Sequence, residues 1–179
     1  MQDKEVVFFM KGSLKKLVFA ALLTALCVVI GWVCKAYLTF GAIRITFENL
    51  PVLLAGILLG PIYGAAVGAA ADIISALLAG FGINPVITIG SASIGIIAGA
   101  MSRYVIKNKS FVRILLASLA SHAIGSMIIK SFGLWMYDYA WQLLALRVPL
   151  YLVIGTAESY IIYILLKNRI LLSFSKGVK

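Results

Sequence analysis

From residue 50 to residue 82 the chain runs 33 residues with a single charged side chain, Asp72. A helix of roughly 20 residues crosses the hydrocarbon core of a bilayer, so this stretch is too long for one crossing and too apolar for a soluble surface. Gly60-Pro61, near its middle, supplies a helix break. The reading is two short helices, about 49–59 and 61–78, the first of them irregular or re-entrant. Four further apolar runs predict helices over about 17–34, 85–104, 112–130 and 147–166. The first has no A-x-A cleavage signature after a short apolar core and is therefore not read as a removable leader. Composition agrees with this pattern. The 179 residues are 63% hydrophobic and 12% charged, against about 45–50% and about 25% in soluble domains. The expected fold is all-α, a single integral-membrane domain over 1–179 that forms a compact bundle of six transmembrane helices. Soluble enzymes, disulfide scaffolds and disordered regulators are excluded.

The net charge of +10 would suit a nucleic-acid binder if the basic residues were clustered on one surface. They are not. Lys4, Lys11, Lys15 and Lys16 precede the first run; Arg103, Lys107, Lys109 and Arg113 separate two later ones; Lys167, Arg169, Lys176 and Lys179 follow the last. Only Lys35, Arg44, Lys130 and Arg147 lie elsewhere. Positive residues stay on the cytoplasmic side of a membrane, so the charge is an orientation signal. Six crossings then place both termini in the cytoplasm, and the segments 35–48, 79–84 and 131–146 outside. The expected location is the plasma membrane of a prokaryotic cell, as a multi-pass protein.

The outer segments hold most of the unusual polar and aromatic residues. Trp32, Trp135 and Trp141 fit either an aromatic belt at headgroup level or stacking on a flat ligand. Arg44, Lys130 and Arg147 either snorkel to the interface or ring an outward cavity suited to an anionic molecule. Asp72 and Glu158 fall near mid-depth, where a charge costs about 2.5–3.5 kcal/mol on the mild insertion scales. They are either structurally paired or line a wet cavity. Pro51 and Pro85 suit the first turn of a helix, and Asn84 suits an N-cap. Two such loop-to-helix junctions on one face, with aromatics between, suggest a lidded pocket.

Gly56, Gly60, Gly64, Gly68 and Asp72 recur every four residues, echoed by Gly95-x-x-x-Gly99. Small residues let helix backbones approach in lipid, so internal packing is the first reading. The small patch Ala20–Ala25 on the first helix could instead receive a helix of another protein. No catalytic residue is expected. The sequence has no G-x-x-x-x-G-K-[ST] loop, no H-E-x-x-H and no G-x-S-x-G. Its single histidine, His122, has no companion at ligand spacing and is read as a packed or hydrogen-bonded core residue, and no metal is expected. Cys27 and Cys34 would be about 10 Å apart along one helix and cannot bridge. Gly90-Ser91-Ala92-Ser93 lacks a base and is not read as a nucleophile.

Several segments together carry a family resemblance: Arg44-Ile-Thr-Phe-Glu-Asn-Leu-Pro51, Leu-Ala-Gly-Ile-Leu-Leu-Gly-Pro61, Gly64-Ala-Ala-Val-Gly68 with Asp72, Ile83-Asn-Pro85 and Thr88-Ile-Gly90. They resemble the substrate-binding S components of energy-coupling factor vitamin transporters, closest to the folate family, most densely over about residues 44–103. The resemblance implies a six-helix bundle that captures a vitamin outside and delivers it while docked on a transmembrane coupling subunit driven by two ATPases. It implies binding positions at Arg44, Phe47, Glu48, Asn49, Asn84, Pro85 and Thr88, and a docking surface at Ala21 and Ala25. Reading the residues adds Asp72, Lys130, Trp135 and Arg147. No cofactor is implied; the ligand would be folate, with riboflavin or another vitamin as the alternative. A small intramembrane enzyme built on Asp72, Glu158 and His122, or a lone channel or scaffold, is a more distant reading.

Overall fold

Gly60 has φ +99° and ψ 175°, a backbone shape that L side chains rarely adopt, and Pro61 follows it at the first position of the next helix. The pair ends one helix and starts another without a loop. The structure, a computed structural model, describes residues 2–40, 43–80, 82–108, 110–136 and 140–167; the side chains of residues 2–12, 40, 43–44, 103–104, 106–108, 141 and 143 lie outside that description. The order is α1 (Gln2–Tyr37), a two-residue antiparallel pairing of β1 (Thr39–Phe40) with β2 (Ile43–Arg44), α2 (Asn49–Leu59), α3 (Pro61–Leu78), α4 (Pro85–Asn108), α5 (Phe111–Trp135) and α6 (Trp141–Lys167). All but α2 are long and apolar enough to cross a membrane. Their outward faces are apolar, with Leu22, Val29, Ile62, Leu116 and Val153 exposed, as expected of side chains that meet lipid tails.

Three helices run past the ends of their apolar cores. α1 begins at Gln2 and α4 continues to Asn108, because Lys and Arg are good helix formers. Charge bounds the lipid-embedded part of such a helix and leaves its backbone free to continue. α6 begins at Trp141, six residues before Arg147, and carries Pro149 inside it.

Helix α2 is buried over Asn49–Leu58 and packs between α3 and α4. Glycines make the close approach feasible. A Cβ on Gly64 would lie 2.6 Å from the Gly95 carbonyl oxygen, and one on Gly56 2.5 Å from the same atom. Gly68 and Gly99 likewise leave no room for a methyl group against Ser91 and Pro61. The four-residue glycine spacing therefore builds an internal seam, on which Leu53, Ile57, Val67, Ile94 and Ala98 complete the core.

Lys130 does not end α5. Residues His122–Ile129 form a π-helical stretch, after which α-helix resumes over Lys130–Trp135. Each π turn closes on a residue one further along than an α turn, which shifts the register of everything beyond it. The shift lies between His122, which faces α6, and Lys130, which faces the bundle interior. Gly90 of α4 leaves space for the Lys130 stem; a Cβ there would sit 2.6 Å from Lys130 Cγ.

Candidate functional site

One end of the bundle holds a cavity of about 1070 Å³, at the top of the range typical of small-molecule sites. Its wall is assembled from every helix. α1 supplies Cys27, Gly31 and Trp32; the stretch leading into α2 supplies Thr46, Glu48 and Asn49; α3 supplies Asp72 and Ser75. The α3–α4 connection brings Asn84, α5 brings Lys130, and α6 brings Arg147 and Tyr151.

Several polar groups of the wall are held by identifiable partners. The Cys27 thiol donates to the Glu48 carbonyl over 2.7 Å, pinning the start of α2 to α1. Asp72 accepts two hydroxyl bonds from α4, from Thr88 to Oδ2 at 2.7 Å and from Ser91 to Oδ1 at 3.2 Å. A carboxylate has about four acceptor sites, so Asp72 retains capacity toward the cavity. Lys130, only 6% exposed, directs Nζ toward Asn49 Oδ1 at 3.5 Å, leaving donors over. Asn49 Nδ2 is buried and has no partner among the described residues. Arg147 donates to the Tyr151 hydroxyl over 3.2 Å and lies over the same ring, 5.3 Å from its centroid. Two carboxylates (Glu48, Asp72), two amides (Asn49, Asn84) and three cations (Lys35, Lys130, Arg147) thus border a single volume.

The sequence-predicted residues separate on this geometry. Glu48, Asn49, Asp72, Asn84, Lys130 and Arg147 line the cavity. Thr88 stands behind Asp72 as its donor. The Asn84 side chain is committed to architecture: Oδ1 accepts from the backbone amides of Val86 and Ile87 at 3.0 and 3.3 Å, and Nδ2 donates to the Gly133 carbonyl at 3.2 Å. It caps α4 and ties it to the end of α5, with Pro85 exposed at the first helical position. Phe47 is half-buried and does not line the cavity. Trp135 is 58% exposed and packs on Phe132, with centroids 5.8 Å apart. The side chains of Arg44 and Trp141 lie outside the described residues.

Trp32, one of the three tryptophans open to ligand stacking from sequence, lines the cavity, and so do Cys27, Lys35 and Tyr151, which the sequence reading does not select. Tyr151 was within reach of such reasoning, because it follows Arg147 by four residues on one helix and that spacing stacks side chains on one face. Lys35 was visible as the charge closing the first apolar run. Nothing in the sequence marks Cys27.

Deeper in the bundle, His122 and Glu158 have no exposure at all. His122 Nε2 lies 2.6 Å from Glu158 Oε2, and Nδ1 lies 3.2 Å from Ser126 Oγ. The histidine is thus a hydrogen-bonded core residue, as read from sequence, and Glu158 is structurally paired. Among the described residues no group of three His, Cys, Asp or Glu side chains could hold a metal ion.

The model of one protein family, described as the substrate-specific component of the ECF transporter, matches residues 15–174. Among solved structures the chain is similar to that described as the crystal structure of FolT bound with folic acid. The two share 21% sequence identity at a TM-score of 0.68, over 84% of this chain and 92% of that one. At this identity the likeness shows the fold. No curated protein matches the chain.

Proposed function

This chain belongs to the family of ECF transporter substrate-specific components, and from that premise we propose that it captures folate outside the cell membrane for ATP-driven import. The observation that carries the proposal is the juxtaposition in one volume of about 1070 Å³ of two carboxylates, Glu48 and Asp72, with three cations, Lys35, Lys130 and Arg147. Folate is bipolar in the same sense. Its aminopyrimidinone edge offers donors to carboxylates, and its glutamate tail offers carboxylates to cations. Glu48 and Asp72 take the heterocycle, Trp32 supplies an aromatic face, and Lys130, Arg147 and the free Asn49 amide take the tail. Thr88 acts through Asp72. Asn84 and Pro85 shape one loop above the cavity, and Arg44, Phe47 and Trp135 are further binding positions in this reading.

Both termini lie in the cytoplasm in this reading, by the distribution of the sixteen basic residues. The energy comes from partners, a transmembrane coupling subunit and two ATPases. Ala21 and Ala25 are exposed on α1, whereas Ala20 and Leu23 beside them are buried. The exposure of these two small residues supports reading this face of α1 as the surface on which a helix of the coupling subunit docks.

The test is folic acid binding by the purified protein alone, in detergent and without ATP. Saturable binding in the micromolar range or tighter is expected. An affinity weaker than about 1 mM, worth only about −4 kcal/mol, would overturn the proposal. A yellow, fluorescent molecule carried through purification would replace folate with riboflavin.

A further inference from the structure

Arg147 does not stand alone in the cavity wall. Its guanidinium lies 5.3 Å over the Tyr151 ring, and Tyr151, 6% exposed, stacks in turn on His122 with centroids 5.3 Å apart and planes 29° from parallel. His122 is fixed at both ring nitrogens, by Glu158 at 2.6 Å and by Ser126 at 3.2 Å. A continuous row of contacts therefore runs from a fully buried carboxylate to a cation at the cavity surface. The row bridges two helices, with His122 and Ser126 on α5 and Arg147, Tyr151 and Glu158 on α6. Both α5 members fall in the π-helical stretch, the one place where α5 departs from α geometry.

Packing α5 against α6 does not by itself require an ionisable pair at zero exposure. A hydrophobic pair of equal volume is commonly as stable or more so. A polar pair does supply a ring whose plane cannot rotate. A tyrosine lying on a fixed ring keeps its own plane, and an arginine held by that tyrosine through a hydrogen bond and a cation–π contact keeps its direction. We infer that His122, locked by Glu158 and Ser126, is a positioning residue of the ligand site: through Tyr151 it aims Arg147 at the anionic end of the ligand and thereby sets the preference for anionic over neutral ligands. None of His122, Ser126 and Glu158 lines the cavity. The identity of that anionic end as the folate tail rests on the function proposed above; the aiming of Arg147 does not.

The test compares two double variants that both lack the buried pair and differ only in the ring, His122→Ala/Glu158→Gln and His122→Phe/Glu158→Gln. Each is titrated with folic acid and with uncharged 6-hydroxymethylpterin. The reactivity of Arg147 toward phenylglyoxal is followed by peptide mass spectrometry without any ligand. The alanine pair is expected to lose about tenfold in folic acid affinity, with little change for the neutral pterin, and to expose Arg147 to several-fold faster modification. The phenylalanine pair, which keeps an aromatic face under Tyr151, is expected to stay close to wild type in both measurements. Equal Arg147 reactivity in the two variants would overturn the inference, as would equal losses for the two ligands. Failure of the wild-type protein to bind folic acid would instead overturn the folate assignment, and the arginine reactivity would still decide the role of His122.

Discussion

The Thr88 hydroxyl reaches from α4 to Asp72 Oδ2 on α3 over 2.7 Å, making a side chain on one wall of the cavity the support for a carboxylate on the next. The same oxygen lies 3.2 Å from the Asn84 carbonyl, a second acceptor for its single proton. Thr88→Val keeps the shape and removes the donor. It is expected to lower stability in detergent by about 1.5–3 kcal/mol, as for a bond to a charged acceptor. In an Asp72→Ala background the same change should cost little more. Fully additive losses in thermal unfolding would mean that the proton serves Asn84 instead.

Gly95 and Gly64 meet backbone to backbone, so Gly95→Ala must push α3 and α4 apart. A cost of about 1–3 kcal/mol or more is expected, read as a lower melting temperature. Gly82→Ala is the matched control. It borders the same cavity, yet an added Cβ there meets nothing within 4 Å, and its melting temperature should stay at wild type.

Lys130→Met keeps a flexible stem against Gly90 and removes the charge. Folic acid affinity should fall about 10- to 100-fold, the worth of a charge-assisted bond in a buried setting. Stability should be unchanged or higher, because a nearly buried ammonium is replaced by an apolar group. Retention of wild-type affinity by calorimetry would remove Lys130 from the ligand site.

Ala21→Trp and Ala25→Trp change only the outer surface of α1. Folic acid binding by the isolated protein should remain at wild type, while, under the function proposed above, uptake by a complex reconstituted with a coupling subunit and ATPases should be lost. Loss of both together would mean that the patch packs within the bundle.

The parts of this architecture legible in the sequence are those governed by local chemistry. Gly60-Pro61 announced its own helix break, Asn84 its cap, and the four-residue glycine spacing its seam. The helix limits near Lys130 and Arg147 are not legible, because a charge beside an apolar run fits a lipid boundary as readily as a position inside a continuing helix. Lys130 instead turns inward after a π-helical stretch that no residue pattern announces, and Arg147 sits a turn and a half inside α6. The partnership of His122 with Glu158 spans 36 residues of sequence, and only the need of two lone ionisable groups in lipid for company hinted at it. The cavity itself was only partly legible. Glu48, Asn49 and Arg147 were selected, but Cys27 and Lys35 come from a helix whose inward face shows no distinctive pattern.

Only Asn49 and Val52 of α2 touch the cavity; the rest of that helix continues away from it, sealed on all sides as far as Leu58. Residues 53–59 amount to about 10 Å of solid packing at 1.5 Å per residue. A molecule seated on Asn49 therefore rests on a floor of packed side chains along α2. Under the function proposed above, a bound ligand leaves by the mouth through which it arrived, and its passage to the opposite side of the membrane requires that the mouth itself be carried there.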